Sequence, residues 1–380
     1  MKNFYTITAV FFLVIFAALS CRQIDVTEAQ YPACVTPNGS KIGFGYGTRN
    51  FIIDGKSGKI LHRFSRLAKH AALVCSAKNE VLAVYSDEIV NLETEEKTPR
   101  RIAGSTVIGI NGNNNLIGYE GKNAGHKRGA ELSLLVENPN DEADDVKVLK
   151  LPLEKLDAVQ RNERSFLTTP VGLLKNNRLL VFAGGKAREL PSDLEESIGP
   201  DIWGFYQVDL NKGDITRTKA VDLYDAGVGL FNIPLTATTP DGKLTAAAFA
   251  GTDNYILLVF DTETGDEVFR RTFDEPASPE RSSLKFSEFR SIAFSKDGSK
   301  IAVAGLLAEN GRGRYKKDPR IFIYDIKTGE LTTEFAIGDG TTSIVSFDKD
   351  EIIINFEGRA IVKLNTVDGK EIWNTALPKD

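Results

Sequence analysis

A short phrase recurs along the chain and restricts its fold more than any other feature. A tight-turn dipeptide such as Asn-Gly or Asp-Gly precedes an apolar run, and Asp-x-x-x-Gly follows later. The clearest copies are TPNGSKIGFG with IIDGKSGKI, TPDGKLTAAAF with VFDTETGDEVF, and SKDGSKIAVAG with IYDIKTGELTTEF. Self-similarity at a spacing of tens of residues marks an architecture of repeated supersecondary units. Asn, Asp and Gly tolerate the positive φ that tight hairpins require, so each copy reads as two hairpins in series.

First-hairpin turns fall at Asn38-Gly39, Lys78-Asn79, Asn113-Asn114, Asn176-Asn177, Asp241-Gly242, Asp297-Gly298 and Lys349-Asp350. The second hairpin carries an acceptor and, four residues on, Gly: Asp54/Gly58, Asp209/Gly213, Asp261/Gly265, Asp325/Gly329 and Asn365/Gly369. The second unit keeps only Asn91, and the third has a longer acidic turn from Asn138 to Asp145. Two hairpins per unit over seven units predict an all-β chain: a seven-bladed β-propeller of four-stranded antiparallel blades. No stretch of helical periodicity is long enough to suggest βαβ units.

The phrases SKDGSKIAVAG and IYDIKTGELTTEF resemble those of bacterial WD-repeat-like and quinoprotein-like β-propellers, over nearly all of residues 31–380. The resemblance implies the fold and leaves the activity open, because propellers serve many functions. The quinoprotein-type phrase Asp-x-x-x-Gly-x-x-x-Trp is approached once, by Asn365, Gly369 and Trp373, with Phe269 in the Trp place of the fifth unit. An aromatic packed between blades accounts for it, and no cofactor is expected.

The N-terminus is a separate object. Lys2 precedes an apolar stretch from Ile7 to Leu19, and Ala17-Ala18-Leu19-Ser20 lead into Cys21. A stretch of thirteen residues is too short to span a hydrocarbon core of about 30 Å, so residues 1–20 read as an export signal. Small residues followed by Cys resemble a bacterial lipoprotein signal, which implies acylation of Cys21 and a tether to a membrane. An ordinary secretory signal with an incidental cysteine is the other reading. Residues 21–30 then form a tether, and residues 31–380 one domain.

Export permits a disulfide between the remaining cysteines, Cys34 and Cys75. Equivalent positions around a ring point the same way, so the two side chains meet only if their strands differ by one residue in register. Otherwise they pack as small apolar groups.

Number the strands of a blade a to d from the axis outward. The a–b and c–d turns lie on one face of the disc, and the b–c and d–a connections on the other. The long connections are b–c (Gly121 to Ala130, Gly184 to Trp203, Leu306 to Arg320) and d–a (Leu151 to Arg164, Asp222 to Asn232, Asp274 to Glu288). They share one face, where binding on a rigid scaffold is expected. Two of them are basic: Lys122, His126, Lys127 and Arg128 in one, and Arg312, Arg314, Lys316, Lys317 and Arg320 around Tyr315 in the other. These are candidate contacts for an envelope protein or an anionic polymer.

The formal net charge of −5 disfavours general nucleic-acid binding. No catalytic motif of the His-Glu-x-x-His, Gly-x-Ser-x-Gly or P-loop type occurs. The three histidines, His62, His70 and His126, lie in different units or loops, so no metal site is expected. The sequence thus favours a membrane-tethered, non-catalytic binding scaffold of the cell envelope. The rival is a propeller enzyme (hydrolase, lyase or quinoprotein-like dehydrogenase) with its site at the central channel mouth.

Overall fold

The computed structural model describes residues 33–46, 49–65, 72–76, 78–85, 87–100, 106–110, 116–122, 131–137, 147–150, 165–174, 177–186, 202–221, 234–250, 255–273, 284–309, 317–337, 341–356 and 360–377. Cys21 and the whole of residues 1–30 lie outside them. Residues 31–380 form one compact unit.

All regular elements described are strands, and each sheet takes four that are consecutive in sequence. The first sheet holds β1 (Ala33–Val35), β2 (Lys41–Tyr46), β3 (Arg49–Asp54) and β4 (Ile60–Ser65). The second holds β5 (Ala72–Cys75), β6 (Val81–Val84), β7 (Glu88–Asn91) and β8 (Lys97–Pro99). The third holds β9 (Thr106–Ile110), β10 (Leu116–Lys122), β11 (Glu131–Glu137) and β12 (Lys147–Lys150). The fourth holds β13 (Ser165–Leu174), β14 (Arg178–Lys186), β15 (Ile202–Asp209) and β16 (Ile215–Val221). The fifth holds β17 (Leu235–Thr238), β18 (Leu244–Ala250), β19 (Tyr255–Asp261) and β20 (Glu267–Thr272). The sixth holds β21 (Leu284–Phe294), β22 (Lys300–Glu309), β23 (Lys317–Asp325) and β24 (Leu331–Ala336). The seventh holds β25 (Thr341–Asp348), β26 (Glu351–Phe356), β27 (Ala360–Asn365) and β28 (Glu371–Ala376). All pairings are antiparallel, as in β18–β19 with Ala247 opposite Leu258.

The expectation of a seven-bladed propeller is corrected to six complete blades. Six sheets are complete blades with a defined interior. The third sheet, β9–β12, is defined as paired backbone, with Ile117, Val136 and Leu149 as its buried apolar side chains among the described residues.

The innermost strands β1, β5, β9, β13, β17, β21 and β25 each touch the next, and β25 touches β1. The sheets therefore stand around an axis, and the cores lie between them. Ala246, Leu257 and Val259 of the fifth sheet pack against Ile301, Val303 and Phe322 of the sixth. Ala302, Ile321 and Ile323 on the other side of the sixth pack against Ile352, Ile354 and Val362 of the seventh. The two middle strands of a blade are covered on both sides, so β18 and β19 are buried without alternation over five successive residues each. Outer strands have one neighbour and stay largely exposed, as in β20 and β28.

Among the described residues no sheet combines strands from the two ends of the chain, and side chains link the first and last sheets. Ile353, Ile361 and Leu377 bury against Ile42, Phe44, Phe51 and Ile53. Trp373 lies over Gly58, where an added Cβ would sit 2.7 Å from Trp373 Cδ2. Thr375 Oγ1 donates to the Gly58 carbonyl, and Lys363 Nζ donates to the Gly55 carbonyl at 3.3 Å. The same contact recurs: a Cβ on Gly369 would meet Phe335, and one on Gly329 would meet Phe269.

Cys34 and Cys75 form a disulfide, with Cα atoms 5.8 Å apart. The turns explain the pairing. Thr36 starts the first a–b turn and Ser76 the second, each donating its N–H across the turn, to the Lys41 and Glu80 carbonyls. Cys34 stands two residues before Thr36, whereas Cys75 stands one residue before Ser76. That one-residue offset aims the two side chains at each other, because successive residues of a strand face opposite ways. Gly43, opposite Cys34, permits the approach: a Cβ there would lie 2.4 Å from Val81 Cγ1 and 3.1 Å from Cys34 Sγ. Cross-linking residues 41 apart is worth about 4 kcal/mol if loop entropy alone counts.

In the second blade Glu95 occupies the glycine position of the c–d turn, at φ +59°. Side chains there are strained, whereas Gly is not. Glu95→Gly is expected to raise the unfolding free energy by about 0.5–1 kcal/mol in urea denaturation; a loss of stability would contradict this account of the turn.

Candidate interaction face

The a–b and c–d turns form a face on which Asx acceptors are paired with backbone donors of their own turns. In the c–d turns the acceptor closes the loop: Asp54 Oδ1 accepts the Ser57 N–H and hydroxyl at 2.6 Å each. Asp209 accepts the Asn211 N–H at 2.8 Å, Asp261 the Thr264 N–H at 2.8 Å, Asp325 the Thr328 N–H at 2.9 Å, and Asn365 the Val367 N–H at 2.7 Å. Gly58, Gly213, Gly265, Gly329 and Gly369 all take positive φ, between +69° and +77°. The ten residues of the Asp-x-x-x-Gly phrase are thus occupied in turn formation.

The a–b turns use a second device that the repeat phrase alone did not disclose. A buried Ser or Thr donates to the Asx side chain two residues on, and that side chain accepts from the backbone beyond. Thr239 Oγ1 donates to Asp241 at 2.7 Å, and Asp241 accepts the Lys243 N–H at 3.0 Å. Ser295 and Asp297 repeat this, as do Thr36 and Asn38. Donation from the Ser295 hydroxyl first, then from the Ser299 N–H and hydroxyl, holds the Asp297 carboxyl down to about 2. Hydroxyl donation by Ser57 likewise lowers Asp54.

The opposite face is built differently. The sixth blade carries the longest strands, with 11, 10 and 9 residues in β21, β22 and β23, and the fourth has 10, 9 and 8 in β13, β14 and β15. The fifth-blade strands β18 and β19 between them have seven each. The strand extensions of the sixth blade rest on aromatic packing. Phe286 meets Tyr255, Phe273 and Phe289 with ring centroids 5.2, 4.5 and 4.7 Å apart, and Tyr255 Oη donates to the Ser287 carbonyl.

The extensions revise the expected loops. Leu306 to Glu309 and Lys317 to Arg320 are paired strand, with Gly305 opposite Arg320 and Ala308 opposite Lys317. Lys122 likewise ends β10, opposite Glu131. Arg320 is 9% exposed, and its guanidinium bridges Asp318 at 2.9 Å and Glu334 at 2.8 Å. It ties β23 to β24 from within, and its charge is matched there by two carboxylates. His126, Lys127, Arg128, Arg312, Arg314, Tyr315 and Lys316 lie outside the described residues. Among the described residues no cluster of His, Cys, Asp and Glu could hold a metal ion, and no helix is long and apolar enough to cross a membrane.

No family model and no curated protein matches the chain. Solved structures do. The β-propeller domain of Myceliophteria thermophila Cps50 (Swd1) is 12% identical, with a TM-score of 0.52 over 85% of this chain and 91% of that one. This chain is a β-propeller. KlAtg21, in a complex with the coiled-coil of AgAtg16, is 12% identical with a TM-score of 0.53, covering 91% of this chain and 99% of that one. KlHsv2 with loop 6CD replaced by a Gly-Ser linker is also 12% identical, with a TM-score of 0.53 over 92% and 100%. At that identity the likeness establishes the propeller fold alone.

The lowered Asp297 carboxyl makes the turn face pH-sensitive. Its folded value lies below the ordinary 3.8, so its contribution is present above about pH 4 and is lost as the pH falls towards 2. Asp297→Asn keeps the acceptor, as Asn38 does in the first blade, and removes the charge. The melting temperatures of wild type and variant are expected to differ at pH 7 and to converge between pH 4 and 2. A constant gap would sink the electrostatic explanation.

Proposed function

We propose that this chain is a non-catalytic binding scaffold, exported and lipid-anchored through Cys21 in the cell envelope of a bacterium, which offers its long-connection face to a partner. The observation that carries the reading is the difference between the two faces. One consists of short turns closed by their own hydrogen bonds. The other carries the strand extensions of the fourth and sixth blades, and the strand ends that flank the two basic segments, Lys122 with Glu131 and Glu309 with Lys317, belong to it. Polar groups already satisfied within a turn have little left to offer a ligand, so recognition belongs on the second face.

The partner chemistry follows from the basic segments: an acidic envelope protein or an anionic polymer, met by Lys122, His126, Lys127, Arg128, Arg312, Arg314, Lys316 and Lys317, with Tyr315 able to stack. The KlAtg21 complex with a coiled-coil supports protein binding as a use of a propeller of this plan. Arg320 is left out of this set because its charge is spent on Asp318 and Glu334.

The reading is tested by reversing charge at Lys127, Arg128, Arg312, Arg314 and Lys316 to Glu and repeating capture from crosslinked membranes. Recovery of partner is expected to fall on the order of tenfold or more, with salt-dependent residual binding. Undiminished capture would overturn the assignment of the face. The anchor has its own measurement: mass spectrometry of the mature protein should find an acylated N-terminal Cys21, and an unmodified N-terminus elsewhere would refute it.

A further inference from the structure

We propose that the Cys34–Cys75 disulfide is a redox-controlled clasp on the second blade, and that its reduction by a dithiol releases residues 72–100 as a local unit while the other described blades stay folded. The proposal does not depend on the partner-binding reading.

The second blade has the shortest ladders among the described sheets. Its middle strands β6 and β7 have four residues each, whereas the middle strands of every other sheet have six or more. β8 has three and ends at Pro99, which donates no hydrogen bond. Asn79 and Glu95, neither of them glycine, sit in its two turns at φ +63° and +59°. Towards the third sheet its buried apolar side chains are Val84 and Ile89. Towards the first blade Leu73, Val81, Ala83, Val90 and Leu92 pack on Ile52, and the two cysteines pack against that same cluster. The covalent link therefore reinforces the blade along its better-packed side. A blade with short ladders and a small core is the element that opens first when a cross-link is removed.

The clasp is not sealed in the core. Cys34 and Cys75 lie on the innermost strands β1 and β5 and are both half-buried. The exchange is balanced. A thiolate of the dithiol attacks one cysteine sulfur, forming a mixed disulfide and expelling the other as a thiolate. The second thiol of the reductant then displaces the first cysteine. Two electrons and two protons pass to Cys34 and Cys75, and the reductant leaves as its own disulfide. Export to an oxidising compartment keeps the clasp closed, and a dithiol oxidoreductase is the class of partner that would open it.

The experiment is hydrogen exchange read by mass spectrometry on the whole chain, with and without dithiothreitol, with thiol labelling to confirm reduction. Peptides covering residues 72–100 are expected to exchange on the order of tenfold faster after reduction, and peptides covering residues 244–261 and 301–325 to be unchanged. Oxidised glutathione should restore the slow pattern. A Cys34→Ala/Cys75→Ala variant should show the fast pattern without reductant. Unchanged exchange at 72–100 in labelled protein would overturn the clasp. So would an equal rise across all blades, which marks a general cross-link, and so would a disulfide that the dithiol fails to reduce.

Discussion

Face-to-face burial between blades is the constraint on which the rest of this structure depends. A four-stranded sheet alone offers two apolar faces and hides neither. Placing each sheet between two others covers both, so the middle strands become continuous apolar runs such as Ala246, Ala247 and Ala248 beside Leu257, Leu258 and Val259. Three c–d glycines, Gly58, Gly369 and Gly329, are part of that arrangement. Their missing Cβ atoms let the turn of one blade settle on Trp373, Phe335 or Phe269 of its neighbour. The local requirement for positive φ and the non-local requirement for close approach fall on the same residue.

Closure of the ring follows the same principle. The seventh blade is built entirely from C-terminal strands, and the first entirely from the chain's beginning, so the seam is held by Trp373, Thr375 and Lys363 against Gly58 and Gly55 rather than by a shared ladder. A second long-range tie lies one blade away, where the disulfide joins β1 to β5. The first blade is therefore fixed on both sides, by packing at one and by a covalent bond at the other. The second blade has the covalent bond on one side and, among the described residues, Val84 and Ile89 buried on the other.

The two faces of the disc are built differently. On one, short turns pair their own backbone donors with Asx acceptors. On the other, the hairpins of the fourth and sixth blades extend beyond those of the fifth. Arg320 lies in one of these extensions, and its charge is already paired. Two carboxylates from its own blade complete its coordination, and it serves the extension rather than a ligand.

The sequence by itself determined the turns. The Asx acceptors, the glycines and the order of hairpins were legible because each turn is a set of hydrogen bonds among residues two to five apart. The pairing of Cys34 with Cys75 was posed by the sequence as a question of register, and the differing lengths of two a–b turns answered it. Only the tertiary structure decided how far strands run into the segments read as loops and that Arg320 is neutralised. The physical reason is common to both. Strand length and ion pairing are set by neighbouring strands and by partners such as Glu334, fourteen residues from Arg320, and no local pattern of residues records what a neighbouring sheet will cover.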